Sequence, residues 1–560
     1  MCGDIWVNLE DDREAAFEKS AVSSAMISGL LFWPSHTFTQ GQPLDPDAVK
    51  SQRTAEEVRK LLAAHREVEL TITGHLRGVD GAGSSLDLPE FQKALTRPGA
   101  KKLSDLPSTP TIASEFTTTI RFELGSDPEV IEYVAPDYGI TAQKPHRIRG
   151  KVSLDRYGKT SQLNGPAFVF RNIFGLSGIR ITCEAISPMA LAGGMESSNV
   201  FNVALLAAAS MLSGAGLSLA DIFSLAVKLE NDEFGGLTGG QGHLCCMVGG
   251  AYRHVWLSGL KDAAGRMGNP YSAFSIKLFS DSALDSLADH LALVQAGKSY
   301  EDGRPLIFRR ASFINAMWTD LLRDRDRIGL PLLYEKLELV ERFTRALKEG
   351  DFETTVSAIN RYVEIRDTLC RRWINLALDA REGRTDSDDG SELPPYAAEY
   401  ALVFDETNMR YNDSGTIRNF YRRDKDRLRQ TSFYTLSPIA ELVGKAKDAG
   451  IAVMPLGAGG PGANLIAISS EGRKHLEGFL ESQDLHRLTE DKARAIIRGT
   501  GTLKGYIPFH AGKEPLTING FGQLGLKLPE APENCLYNQE TGQFERPGAG
   551  VIIGKPAPPP

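Results

Sequence analysis

The chain has 560 residues, 42% of them hydrophobic and 24% charged, with a formal net charge of −8. That exceeds the roughly 250–300 residues one core holds, so two domains with extensions are expected. The acidic balance argues against a nucleic-acid-binding face, and no uninterrupted apolar run of about 18 residues is present to span a membrane. Six cysteines show no C-x-x-C pair, and Cys245 and Cys246 sit side by side in an apolar run. This fits a reducing cytoplasm better than a disulfide scaffold or zinc site. The stretch MCGDIWVNLEDDREAAFEKS is acidic and lacks the basic start and apolar core of a signal peptide.

Taken in order, residues 1–69 read as helical, with apolar residues at helical spacing in TAEEVRKLLAAHREVEL. VELTIT (68–73) alternates like a strand and runs into a glycine-rich loop, Gly74 to Gly83. FTTTIRFEL, KVSLDRYG and GIRITCEAI read as further strands. The loop AGGMESSN then opens a strongly apolar helix, VFNVALLAAASML. Another helix, SLADIFSLAVKLEND, leads to a second glycine-rich loop, FGGLTGGQGHLCCMVGGA. Residues 272–377 read as helices, and 380–432 as a polar insertion. SPIAELVGKAKDAG is a helix, followed by a strand, a tight loop and a strand in IAVMPLGAGGPGANLIAIS. The last 80 residues read as a partly flexible extension ending in KPAPPP. No internal repeat is visible, and runs of strands followed by runs of helices indicate an α+β fold.

Three loops carry candidate chemistry. AGGMESSN stands at a helix start, where unpaired N–H groups and the positive end of the helix dipole favour phosphate. Ser197 and Ser198 offer hydroxyls for capping, for phosphate or for Mg²⁺, and a simple serine-capped helix is the plain alternative. GAGGPGANLIAI (457–468) has glycines that suit a backbone passing close to something, or a glycine-rich turn. TGHLRGVDGAGSSLDLPEF (73–91) is unremarkable by itself.

In this order and at these separations the three resemble the motifs of the GHMP kinase family, which includes galactokinase, homoserine kinase, mevalonate kinase and phosphomevalonate kinase. LRGVDGAGSSLDLPEF resembles the first, LAGGMESSNVFNVALLAA the phosphate loop, and PLGAGGPGANLIAI the third. LAVKLENDEFGGLTGGQGHLCCMVGG resembles the helix and loop that supply a Mg²⁺-binding glutamate and a catalytic aspartate. The D-L-P of the first motif is similar to the branch of heptose-phosphate kinases and fucokinases. The resemblance covers residues 70–475 and implies a two-domain α+β fold with terminal extensions. Its expected parts are a helical extension at 1–69, a nucleotide-binding domain at 70–262, a second domain at 263–480, and an extension at 481–560.

The resemblance further implies ATP and Mg²⁺ as cofactors and a sugar or sugar phosphate as the small-molecule substrate. Ser198 and Glu230 would hold Mg²⁺; Gly193, Gly194 and Ser197 would lie along the ATP phosphates, backed by Gly457, Gly459 and Gly460. Asp87 would receive sugar hydroxyls, and Arg77 would stand near the transferred phosphoryl group. An ordinary solvated helix carboxylate is the plain alternative for Glu230, and a turn or cap residue for Asp87, which follows Arg77 one residue later than the family spacing.

The sequence also departs from that pattern. Aligned without gaps, the catalytic aspartate falls on Gly242, which cannot take a proton. Its neighbour His243 could act instead, since imidazole titrates near neutrality, although a histidine packed in the loop is the plainer expectation. Glu196 replaces the last glycine of the phosphate loop, Asn199 follows the serines where a small residue is usual, and Pro188 comes two residues early. A carboxylate about 4 Å from a phosphate charge would cost about 4 kcal/mol at an effective dielectric of 20. Glu196 must therefore point away, act through Mg²⁺, or displace the nucleotide. A missing base slows transfer by about 10²–10⁴-fold without abolishing it. Two readings follow: an active ATP-dependent sugar kinase, or a protein of the same fold that has lost phosphorylation and serves as a ligand-binding, regulatory or repurposed protein. Met1-Cys2-Gly3 also suggests an N-terminal-nucleophile amidotransferase, but the region before Leu70 is too short for that catalytic domain.

Overall fold

The computed structural model describes residues 46–83, 86–96, 106–154, 159–184, 195–234, 238–256, 273–279, 281–296, 300–301, 304–305, 329–386, 392, 429, 439–457, 464–500, 503–529, 536–538, 543–545 and 552–553. Gly193, Gly194, Gly459, Gly460 and Pro188 lie outside them, as does most of 380–432.

Helix α1 (Ala55–Ala64) starts at a capping box, Thr54 with Glu57. Strand β1 (Leu70–Val79) follows, then α2 (Pro89–Leu95) and the 17-residue β2 (Ser108–Leu124). β1 runs through Gly74 to Val79, where the sequence suggested a loop, because its edge is paired. It is antiparallel to β2 along its length, with irregularities around Arg77. The next elements are β3 (Val130–Val134), β4 (His146–Arg149), α3 (Lys159–Ala167) and β5 (Ile179–Cys183). The expected strand KVSLDRYG is not formed over residues 151–154, and 155–158 lie outside the described residues.

Helix α4 (Ser197–Ser213) is buried around nearly its whole circumference, which explains why its sequence is apolar without an amphipathic stripe. Helix α5 (Leu219–Asp232) follows, and then α6 (Gln241–Val248), a helix where the sequence suggested a glycine-rich loop. Strands β6 (Ala251–Trp256) and β7 (Ala273–Lys277) complete this half. β2 is its spine: residues 108–112 pair with β6, 120–124 with β5, and β1 runs along both halves.

The second half holds α7 (Asp281–Ala288), β8 (Leu291–Gln295), a short hairpin of β9 (Tyr300–Glu301) and β10 (Arg304–Pro305), and two long packed helices, α8 (Gly329–Glu349) and α9 (Phe352–Arg381). Then come α10 (Ile439–Asp448), β11 (Ile451–Pro455), β12 (Asn464–Ser469), α11 (Arg473–Ser482), α12 (Glu490–Thr500) and β13 (Gly505–Pro508). β11, β12, β8 and β13 form an antiparallel sheet in that order. β7 and β8 correct the all-helical expectation for 272–377. LALVQ is a short apolar run buried on both faces, and periodicity cannot separate such a strand from a piece of helix.

Part of the region expected as a C-terminal extension is built into both sheets. β13 pairs with β8, while β14 (Thr517–Asn519) pairs with β1. Beyond it, β15 (Leu536–Asn538), β16 (Gln543–Glu545) and β17 (Ile552–Ile553) extend the large sheet from β7. The expected α+β class is the one observed. Among the described residues, no helix is long and apolar enough to cross a membrane.

Candidate active site

Charged side chains gather where the end of β1, the start of α4, the end of α5 and the start of α6 meet. Arg77 near the end of β1 has no exposed side-chain surface, and its Nη1 lies 2.6 Å from Glu196 Oε1. Asp80 in the following turn stands 3.7 Å from Nη2 of the same guanidinium. Burial opposes the charge on Arg77, but the carboxylates of Glu196, Asp80 and Asp87 more than offset it and hold its pKa above the ordinary value.

Glu196 precedes α4 in a left-handed backbone conformation, φ 61° and ψ 41°, and its side chain caps none of the helix N–H groups. A glycine would adopt that conformation without strain; a glutamate pays about 1–3 kcal/mol for it. The carboxyl turns toward α6 instead. A Cβ added at Gly242 would lie 1.5 Å from Glu196 Oε2, so the two departures noted in the sequence occupy one volume. Burial pushes the Glu196 carboxyl up to about 8, against the pull of Arg77.

Ser198 and Glu230 are brought together: Ser198 Oγ donates to Glu230 Oε1 at 3.3 Å. Asn202 Nδ2 reaches Glu230 Oε2 at 3.5 Å, and His243 Nε2 stands 3.2 Å from the same oxygen. His243 is fully buried, with its ring edge-on to Phe223. Its ring nitrogens make no hydrogen bond, so it meets Glu230 by proximity alone, packed in the way the plainer sequence reading expected. A hydroxyl and a carboxylate are hard oxygen donors suited to Mg²⁺, an ion that takes one or two protein oxygens and leaves the rest to phosphate and water. Among the described residues, no three His, Cys, Asp or Glu side chains form a preassembled metal cage.

Asp87 lies on the start of α6, where its Oδ2 accepts the Gln241 N–H at 3.1 Å. A Cβ at Gly239 would come within 1.8 Å of that oxygen, so only glycine allows the approach. Burial raises the Asp87 pKa, while the Gln241 N–H and Arg77 oppose the rise.

Gly457, of the third motif, is held on both sides. Its N–H donates to Asp80 Oδ2 at 3.1 Å, and its carbonyl accepts from Arg366 Nη1 at 3.1 Å. Arg366 on α9 also donates to Tyr362 Oη at 2.8 Å. Lys336 on α8 lies 5.3 Å from the Tyr362 ring, its pKa well below the ordinary lysine value through burial and the nearby Arg366. Sequence reasoning missed Asp80, Arg366, Lys336 and Asn202. Asp80 lay within the quoted first motif and Asn202 within the quoted phosphate loop, but Arg366 and Lys336 sit in helices whose patterns give no sign of them.

No protein-family model matches the chain, and no curated protein matches it. Among solved structures it is similar to the Lin0012 protein from Listeria innocua, at 15% identity and a TM-score of 0.46, over 80% of this chain and 99% of that one. It is also similar to a D-glycero-D-manno-heptose 1-phosphate kinase from Bacteriodes thetaiotaomicron, at 12% and 0.43, over 80% and 97%. A third is mevalonate diphosphate decarboxylase from Staphylococcus aureus, at 14% and 0.42, over 80% and 98%. The last two are GHMP-family enzymes. One is a kinase and one a decarboxylase, and likeness at this level selects neither activity for this chain.

Proposed function

We propose that the chain is a GHMP-type kinase that transfers the γ-phosphoryl group of Mg·ATP to a hydroxyl of a sugar or sugar phosphate in the cytoplasm. The observation that carries this reading is the convergence of Ser198 and Glu230 at the start of α4, with Arg77 and Asp87 in the same buried cluster. Phosphoryl transfer depends mainly on positioning and charge neutralisation, and these residues supply both.

In this reading the first N–H groups of α4, which the Glu196 side chain does not cap, receive phosphate oxygens. Ser198 and Glu230 would hold Mg²⁺, with Asn202 donating to the Glu230 carboxylate from behind and His243 packed beside it. The metal, when bound, neutralises charge on the phosphates. Asp87 is anchored by the Gln241 N–H and orients the acceptor hydroxyl, while Arg77 offers positive charge beside the transfer path. The alternative of a retired kinase drew on two departures together, the glycine at 242 in place of the aspartate and Glu196 in the phosphate loop. The kinase reading is supported on the second point, since the Glu196 carboxyl is paired with Arg77 and caps none of the α4 N–H groups.

Calorimetric titration with Mg·ATP tests the reading. Saturable binding, weakened about tenfold or more by Glu230→Ala, which amounts to about 1.4 kcal/mol, is the expected result. Absence of binding to the unaltered chain would overturn it.

A further inference from the structure

Positions 196 and 242 share one space. A Cβ on Gly242 would sit 1.5 Å from Glu196 Oε2 and 2.4 Å from Asn199 Nδ2, so α6 can carry no side chain there while Glu196 holds its place. The placement is fixed from several directions. Arg77 Nη1 lies 2.6 Å from Oε1, and Asn199 Nδ2 donates to Oε2 at 3.3 Å. Glu196 keeps a left-handed backbone that glycine would hold more easily, so the carboxyl is retained there against a strain cost. Its side chain keeps 19% of its surface open where that of Arg77 has none. Arg77, which holds it, also lies 3.7 Å from Asp80, and Ser198, two residues along, donates to Glu230.

Given the kinase reading above, on which this rests, we propose that Glu196 is the catalytic base, its carboxylate filling the space that an acidic side chain at 242 would reach from α6. The acid and the glycine have exchanged places between two neighbouring helix starts. In the reaction, the acceptor oxygen forms a bond to the γ-phosphorus as its proton passes to a Glu196 carboxylate oxygen. The bond from the γ-phosphorus to its bridging oxygen breaks, and ADP leaves with the electron pair. Arg77 holds the carboxylate in place and balances its charge.

The test uses the full chain as wild type, Glu196→Gln, Gly242→Asp and the double variant Glu196→Gly/Gly242→Asp. Each is measured for melting temperature, for Mg·ATP affinity, and for ADP release with a panel of hexoses, heptoses and their 1-phosphates. Glu196→Gln is expected to bind Mg·ATP within about threefold of wild type and to lose about 10²–10⁴-fold in kcat. Gly242→Asp alone is expected to melt lower, because its side chain meets Glu196. The double variant is expected to recover both the melting temperature and at least about tenfold of the lost turnover. Wild-type turnover by Glu196→Gln would overturn the assignment, as would a double variant no faster than Glu196→Gln. A wild type that binds Mg·ATP but phosphorylates none of the panel would overturn the base role and leave the nucleotide site standing. A wild type that does not bind Mg·ATP would remove the kinase reading itself and the base role with it.

Discussion

Helices α5 and α4 begin in opposite ways. At the start of α5, Ser218 Oγ accepts the Asp221 N–H at 3.2 Å, and Asp221 Oδ2 accepts the Ser218 N–H at 3.0 Å. Residues three apart satisfy the helix end, and nothing distant is needed. At the start of α4 a strained glutamate stands in the cap position and gives its carboxyl to Arg77. The start of α6 is intermediate: Gly240 brings no side chain, and Asp87, 154 residues earlier, takes the Gln241 N–H. Helix ends built for stability are closed locally. The two that face the charged cluster are left open or closed from far away, and a sequence keeps such an arrangement when it serves something other than stability.

The sharpest way to break the contrast is to remove the cation that makes the α4 start tolerable. Arg77→Met should lower the free energy of unfolding in urea by about 3–5 kcal/mol, because Glu196 and Asp80 lose the buried cation that balances them. Adding Glu196→Gln should recover part of that loss. A cost below about 1 kcal/mol would mean that water reaches the pair and that the cluster is a solvated one. A smaller effect is expected from Gly239→Ala, whose methyl would overlap the Asp87 carboxylate. Moving Asp87 off α6 should cost about 1–3 kcal/mol in urea unfolding, and a neutral result would show that the approach is not fixed.

The buried cap of α6 should also show in the pH dependence. Burial raises the Asp87 pKa above its ordinary value of 3.8, so the folded state keeps a proton that the unfolded chain has already released. The unfolded state then binds fewer protons, and this residue's contribution to stability falls as pH rises from about 3.8 through the folded-state value. Asp87→Asn removes that titration. Its stability relative to wild type should therefore climb with pH over this window, by at most about 1.4 kcal/mol per unit, and level off above it. Urea unfolding of both proteins at several pH values reads this directly, and a flat difference would mean that Asp87 ionises as in water.

How much of this was legible in the sequence follows from the range of each interaction. The capping boxes, the apolar α4 and the strand pair around Gly457 have local signatures, and residues 77, 87, 198 and 230 could be picked from motif order. Asp80 could not, since its partner Gly457 lies 377 residues away. Nor could the relation between Glu196 and Gly242. Read along the chain they are two separate departures, and only the close approach of α6 to the start of α4 makes them one. The α6 helix itself was hidden because glycine and histidine are poor helix formers, and burial against β1 and α4 overrides that propensity.

The smallest expected effect tests the other side of the comparison. Ser218→Ala removes the hydroxyl that caps α5, and such caps contribute about 1 kcal/mol. For a domain of this size, that corresponds to a fall of about 2–4 °C in melting temperature. Nucleotide affinity should not follow. Glu230 sits at the far end of α5, and Ile222, Phe223, Leu225 and Ala226 between them are buried without exposed surface, so fraying of the first turn stops before it reaches the site. Mg·ATP affinity in Ser218→Ala should therefore stay within about twofold of wild type. A loss of tenfold or more would show that the position of Glu230 depends on the whole length of α5, and the distinction between a helix start built for stability and one built for the site would then fail.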